Sequence, residues 1–401
     1  MELVERYLTL GLRLGRHVDG LVDAYYGPPE LATAVEQEEL RAADELAVDA
    51  DEFLAELPRA GLDDARAGWL GDQLRGIRTY AGVLAGEEIS YLDEVKGCYG
   101  VRPERVHEDA FAVTHRRLDE LLPPGGSLHE RYDAWRTANA VSADRIVETM
   151  TSILALLRER TGAIVPLPTD EEFALELVAG EPWAAFNYYL GGHRSRIVVN
   201  TDLPFSGAEV VHLAAHEGYP GHHTEHAVKE ELLLDGQGRL EESLQLVPTP
   251  QALLSEGIAE LGGELLIDEG LDAEFARILR AAGVRYDPAE ARAIRAAREP
   301  LGYVSRNAAL AIHEDGVAIE EAQAYVERWA LAPPKRAAHT IAFVTDPTWR
   351  AYVVTYTEGL RLARAWVGDD LDRFRRLLTE PVRVGELRAA ADGHAAVSSR
   401  P

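Results

Sequence analysis

Val210-Val211-His212-Leu213-Ala214-Ala215-His216-Glu217-Gly218-Tyr219-Pro220-Gly221-His222-His223 is the stretch on which the reading of this chain turns. Its first half is too apolar for a surface, and it runs straight into His216-Glu217. In an H-E-x-x-H helix, histidines at i and i+4 share one face and bind zinc, and the glutamate beside the first polarises the metal's water. Here Pro220 occupies i+4, so the plain pattern fails. Proline disfavours the α region at Tyr219, and Gly221 tolerates unusual dihedrals, so the helix is expected to break or bulge just past the glutamate. That interruption would bring His222 round to the place an i+4 ligand holds. His223, at i+7, is the alternative second ligand, on the same face about two turns along. A solvated histidine cluster is the competing reading, but His212, His216, His222, His223 and His226 crowd into fifteen positions beside the apolar run.

A third ligand is sought downstream. Gln251–Leu261 reads as an apolar helix that carries Glu256 and Glu260 one turn apart on the same face. A carboxylate in such surroundings costs several kcal/mol without a strong partner, on the order of 2–7 for an unpaired polar group. Glu256 therefore suits a His-His-Glu site with a fourth position open, and Glu260 could hold the free ring nitrogen of a ligating histidine. Further on, Tyr352 and Tyr356 fall on one helical face, with Arg350 just before them. An oxyanion needs a donor beyond the metal, and these three are the candidates.

Upstream, Ala184–Leu190 and Ser195–Asn200 are aromatic and β-branched runs that flank Gly191-Gly192, a hairpin signal over about 184–200. The strand at 195–200 could pair with an extended peptide, with Arg196 and Asn200 at hand for substrate. Elsewhere helical periodicity dominates: 4–24, 31–46, 49–57, 63–85, 105–122 and 127–161, then 225–234 and, from Asp287 onward, 289–297, 301–332 and 334–344. Breaks are short and marked by proline and glycine. The chain is expected to be mainly α, a single catalytic domain over 1–401 with helical (1–165) and metal-site (166–401) halves.

Composition narrows the function further. The formal charge of −27 argues against nucleic acid, which wants a basic stripe. No apolar run reaches membrane-spanning length and no secretory leader is seen, so the expected location is cytoplasmic, with no membrane partner. Cys98 is the only cysteine, which excludes an internal disulfide and a multi-thiolate metal site.

His216-Glu217-Gly218-Tyr219-Pro220-Gly221-His222-His223, Ser255-Glu256-Gly257-Ile258-Ala259-Glu260 and Thr355-Tyr356-Thr357-Glu358-Gly359 together resemble the family called domain of unknown function 885. Tyr25-Tyr26-Gly27-Pro28, Tyr188–Gly191 and Ser195–Ile197 extend that resemblance over most of the chain. The family's motifs look like a variant of the gluzincin metallopeptidases, such as the thermostable carboxypeptidases and thimet oligopeptidases. The resemblance implies a multi-helix, oligopeptidase-like fold with a deep cleft. It implies zinc on His216, His222 (or His223) and Glu256, with Glu217 as base and Tyr356 as the motif tyrosine. Gly257-Ile258 departs from the family's glycine-tryptophan, and the approach to Tyr356 lacks the usual proline-glycine-glutamine.

The expected activity is zinc-dependent hydrolysis of short peptides, by a carboxypeptidase or an oligopeptidase. A carboxypeptidase needs a cation for the substrate carboxylate, for which Arg194, Arg196 and Arg350 are available. Two alternatives are an amide or ester hydrolase of a small metabolite and a non-catalytic, zinc-stabilised helical binding protein.

Overall fold

The computed structural model describes residues 3–181, 183–202 and 204–398. The fold is mainly α: helices follow one another from Leu3–Gly15 to Val384–Ser398, and strands are confined to short pairs and one small sheet. Local signals set the helix ends where they are strong. Asp64–Leu84 opens on Asp63, whose carboxylate accepts the Arg66 backbone N–H at 2.9 Å, close to the expected 63–85.

Several expected spans are corrected. The first helix stops at Gly15 rather than running to 24, and Val22–Tyr25 forms a strand (β1) antiparallel to Leu244–Leu246. Val18 and Leu21 continue a helical spacing, but pairing with a segment more than 200 residues away overrides it. The expected 127–161 helix is two, Leu128–Ala138 and Ala143–Gly162, because Ala140–Val141 pairs with Phe205–Ser206 between them. Likewise 301–332 divides into Tyr303–His313 and Ile319–Trp329. Helices Tyr91–Tyr99 and Glu269–Ala281 lie outside the expected segments altogether.

The hairpin forms as expected, from Ala185–Gly191 (β3) and Arg194–Asn200 (β4), but a strand from Glu172–Val178 (β2) joins it in parallel. The order β2-β4-β3 puts β4 in the middle, so the 195–200 strand is no free edge; β3 is. The hairpin turn is tied to the interior by Glu230, whose carboxylate accepts the backbone N–H groups of Gly192 at 2.9 Å and His193 at 3.2 Å and the Tyr189 hydroxyl.

Two apolar cores meet near the motif helices. One joins N-terminal residues such as Leu70 and Leu74 to Leu253, Ile258 and Val354. The other lies under the sheet and joins Leu154, Ile197 and Val211 to Phe275. Helix α1 (Gly207–Leu213) belongs to the second, whereas α3 (Pro250–Leu266) and α4 (Val353–Val367) belong to the first, to which α2 (His222–Lys229) adds Val228. Helices α3 and α4 cross with their backbones touching. A Cβ on Gly257 would stand 2.5 Å from the Gly359 carbonyl oxygen, and one on Gly359 would stand 2.4 Å from that of Leu253. The glycines that follow Glu256 and Tyr356 are thus what let those side chains reach one cavity.

Candidate metal centre

Helix α1 starts from a reciprocal cap: Ser206 Oγ accepts the Glu209 N–H and Glu209 returns a bond to the Ser206 N–H at 2.8 Å. Past Leu213 the helix widens into a π-helical turn over Ala214–Gly218, a distortion common at functional sites. Tyr219 is extended (φ −120°, ψ 122°), as its place before proline requires, and the Tyr219–Pro220 bond is cis. Gly221 then turns back so sharply that its N–H donates to the Ala215 carbonyl at 3.0 Å. A Cβ there would lie 1.8 Å from the His216 carbonyl oxygen, so only glycine fits. Helix α2 begins at once with His222.

The interruption places His222 beside His216, as expected from the sequence. Their Nε2 atoms are 3.2 Å apart, and Glu256 brings Oε2 to 3.3 Å from His216 Nε2 and Oε1 to 3.7 Å from His222 Nε2. His222 Nδ1 faces Ser255 Oγ at 3.0 Å, and His216 Nδ1 faces Glu260 Oε1 at 3.6 Å. With the ring protons on those Nδ1 atoms, two nitrogen lone pairs and a carboxylate oxygen confront one another in a buried space. Such a group repels itself unless a cation lies among its members. The spacing suits one: a tetrahedral zinc with bonds of about 2.0–2.1 Å sets neighbouring ligand atoms about 3.3–3.4 Å apart. His216 Nδ1 and Glu256 Oε2 have no hydrogen-bond partner among the described residues, although buried polar atoms ordinarily find one. His216, His222 and Glu256 could therefore hold a metal ion. A second convergent set, His212, His216 and Glu260, shares His216 but is more exposed.

Electrostatics agree with the ligand role. Burial lowers both His216 and His222 to about 4, so both rings are neutral, the ligating form, at physiological pH. Glu217 is buried in the same cavity. Burial, then the Glu256, Asp23 and Glu260 carboxylates, push its carboxyl well above the ordinary range, and a bound cation would act in the opposite sense. Its backbone carbonyl accepts Asn187 Nδ2 at 2.6 Å, which docks β3 against the motif.

The remaining expectations divide. His223 points away from the cavity: its ring is 0 % exposed, with Nδ1 2.8 Å from Ser195 Oγ and Nε2 2.9 Å from Glu171 Oε2. Tyr352 lines the cavity but donates its hydroxyl to Glu256 Oε1 at 2.5 Å. Tyr356 lines the same cavity, stacked edge-on to Tyr352 at 5.6 Å, with no partner for its hydroxyl among the described residues. Burial keeps both phenols protonated far above neutral pH. Arg350 is elsewhere, paired to the buried Glu94 carboxylate at 2.6 Å. Arg196 is exposed, over the Tyr188 ring at 4.6 Å. Asn200 is spent on its own loop, donating to the Glu181 carbonyl at 2.8 Å and the Trp183 carbonyl at 3.0 Å. None of these three, nor Arg194, lines the cavity. What the sequence reading missed is Asp23 on β1, together with Asn187 and Gln245, all of which line it. The helical reading of 4–24 hid Asp23; Asn187 lay inside the expected hairpin without a chemical signature.

No family model matches the chain, and no curated protein matches it. Solved structures are similar to it in overall shape. A candidate lipoprotein from Colwellia psychrerythraea aligns at TM-score 0.54 and 14% identity, over 92% of this chain and 70% of its own. A candidate lipoprotein of unknown function from Shewanella oneidensis aligns at 0.49 and 14%, over 90% and 75%. An M32 carboxypeptidase from Deinococcus radiodurans R1 aligns at 0.38 and 14%, over 97% and 93%. The first likeness speaks for the fold alone, and the other two are too loose to carry an argument. Among the described residues, no helix is long and apolar enough to cross a membrane. The fold is mainly helical, in keeping with the first of these likenesses, and the geometry alone gives a His-His-Glu group that could hold a metal ion.

Proposed function

We propose that the chain is a zinc-dependent hydrolase that cleaves short peptides, and that it belongs with the domain of unknown function 885 family on the strength of its three motifs. The observation that carries this reading is the approach of His216 Nε2, His222 Nε2 and Glu256 to within 3.2–3.7 Å of one another beside Glu217. His216, His222 and Glu256 would hold the ion, with Ser255 Oγ hydrogen-bonded to the His222 ring and the Glu260 carboxylate 3.6 Å from His216 Nδ1. Bound there, zinc would supply a Lewis-acid centre that polarises a carbonyl and acidifies water.

The chain's own groups complete the chemistry. Glu217, next to a ligand and inside the cavity, is placed to take a proton from the attacking water and return it to the leaving amine. Tyr352 holds Glu256 in position through its 2.5 Å bond, so its proton is already committed. Tyr356 keeps a free hydroxyl and is the donor for the developing oxyanion. The edge strand β3, which supplies Ala185, Phe186 and Asn187 to the cavity wall, replaces β4 as the strand a peptide backbone could pair with.

Three protein ligands favour an enzyme over a structural site, which is usually closed by four. The Glu217→Gln protein tests this directly, by zinc content and turnover of tetra-alanine. Zinc retained at one per chain with turnover about 10²–10⁴-fold lower is the expected result. Undiminished turnover would remove Glu217 from the mechanism, and no hydrolysis by the zinc-loaded wild type would leave the structural reading.

A further inference from the structure

We infer that Asp23 and Asn187 form a subsite for a substrate ammonium, so that the enzyme takes peptides by a free amino terminus. This rests on the hydrolase reading and adds to it the polarity of the substrate. Asp23 projects from β1 into the cavity that holds Glu217 and the ligand group, and it has no hydrogen-bond or ion-pair partner among the described residues. Asn187 is 6 % exposed and lines the same cavity. Its amide nitrogen is committed to the Glu217 carbonyl, which leaves Oδ1 as an acceptor without a donor. A buried, unsatisfied amide oxygen is rare unless a ligand completes it.

Charge points the same way. Among the described residues the cavity is lined by three carboxylates, Asp23, Glu217 and Glu256, and by no lysine or arginine. A resident dication offsets two of those charges and leaves about one negative charge over. A carboxylate guest in this cavity would add to that excess, and the arginines weighed from the sequence as carboxylate anchors lie outside it, Arg350 paired to Glu94 and Arg196 at the surface. An ammonium guest neutralises it. Its three N–H donors match the Asp23 carboxylate and Asn187 Oδ1. Trp183 and Phe186, ring centroids 5.6 Å apart, add aromatic faces of the kind that attract cations. Tyr356 also borders a second cavity, whose lining includes Glu260, His212 and Arg298.

Calorimetry on the zinc-loaded Glu217→Gln protein reads this without turnover; with Glu217 neutral the two remaining carboxylates balance the dication, so a preference for the ammonium reports Asp23 and Asn187 rather than the net charge of the cavity. Tetra-alanine should bind at least about tenfold more tightly than N-acetyl-tetra-alanine, the scale of one charged hydrogen bond. N-acetyl-Lys-Ala-Ala-Ala is the third arm; binding as tight as that of tetra-alanine would assign the subsite to a side-chain ammonium and overturn the amino-terminal assignment. Adding Asp23→Asn should shrink the ratio between free and acetylated peptide to below about twofold, and Asp23→Glu should restore part of it. Should Asp23→Asn fail to fold, Asn187→Ala serves as the second probe, with a smaller loss of the ratio. Equal binding of the free and acetylated peptides overturns the subsite while hydrolysis by the wild type keeps the peptidase reading. If the wild type hydrolyses neither peptide, both fall together.

Discussion

His222 and His223 are consecutive in the chain, the first mostly and the second fully buried, and sit in two different kinds of polar environment. His223 belongs to a closed network. Its two ring nitrogens meet Ser195 and Glu171, and Glu171 also accepts the Tyr219 hydroxyl and Arg158 Nε, each at 2.5 Å. His222 belongs to an open one, in which His216 Nδ1 and Glu256 Oε2 are left without partners. Burial by itself therefore does not mark a site. A polar group that completes itself is architecture, and one whose atoms converge without completing one another is waiting for something. The turn at Gly221 aims the two neighbouring side chains at these two places.

The strongest test of that contrast substitutes each histidine in turn. His222→Ala removes one of three ligands. It should abolish zinc retention after dialysis, and with it activity, while the metal-free protein keeps its thermal midpoint. His223→Ala should do the reverse: zinc content stays near one per chain, but stability falls by about 2–4 kcal/mol, because Glu171 and Ser195 lose a buried partner. Metal analysis and denaturant melts read both. Equal zinc loss in the two variants would erase the distinction.

Much of the open network was legible in the sequence and little of the closed one. The Pro220-Gly221 interruption, the hairpin around Gly191-Gly192 and the pair Glu256/Glu260 are local signals, readable from spacing and backbone chemistry, and the structure brings His216, His222 and Glu256 together as the spacing suggests. His223 could not be separated from His222 by spacing, because its role depends on Ser195 and Glu171, which lie 28 and 52 residues away. Arg350 looked like a substrate anchor for the same reason: its partner Glu94 is 256 residues off. Asp23 was lost because helical periodicity runs on through Leu21, and nothing nearby announces a strand whose partner is Leu244–Leu246.

A smaller effect separates the two tyrosines. Tyr356→Phe removes a hydroxyl that is free in the cavity and should lower kcat about 100- to 1,000-fold with KM little changed, the range for loss of one oxyanion donor. Tyr352→Phe removes a bond to Glu256 and should act on the metal instead, weakening zinc affinity about tenfold or more. Competition with a chelator separates the outcomes. If Tyr356→Phe changed zinc affinity and left kcat alone, the two roles would have to be exchanged.

The subtlest expectation concerns pH, where the two regions carry opposite signs. In the closed network, burial alone would raise the Glu171 carboxyl, but bonds from His223, Tyr219 and Arg158 hold it below its ordinary range. Its folded pKa lies under its unfolded one, so its stability is present above the usual carboxylate range and is lost as pH falls through the folded value. In the open network, burial, with Glu256 close by, pushes Asp23 up to about 7. Its contribution is complete below its ordinary pKa and is lost as pH rises through about 7. In metal-free protein, Glu171→Gln should therefore melt below wild type at neutral pH, with the gap closing in acid. Asp23→Asn should melt above wild type at pH 8, by a few degrees, with that gap closing towards pH 4. Zinc sharpens the contrast: a dication in the cavity favours the Asp23 anion and should cancel the advantage of Asp23→Asn, yet leave the Glu171→Gln deficit untouched. Thermal midpoints across pH, with and without zinc, would show whether the ion acts on the open network alone.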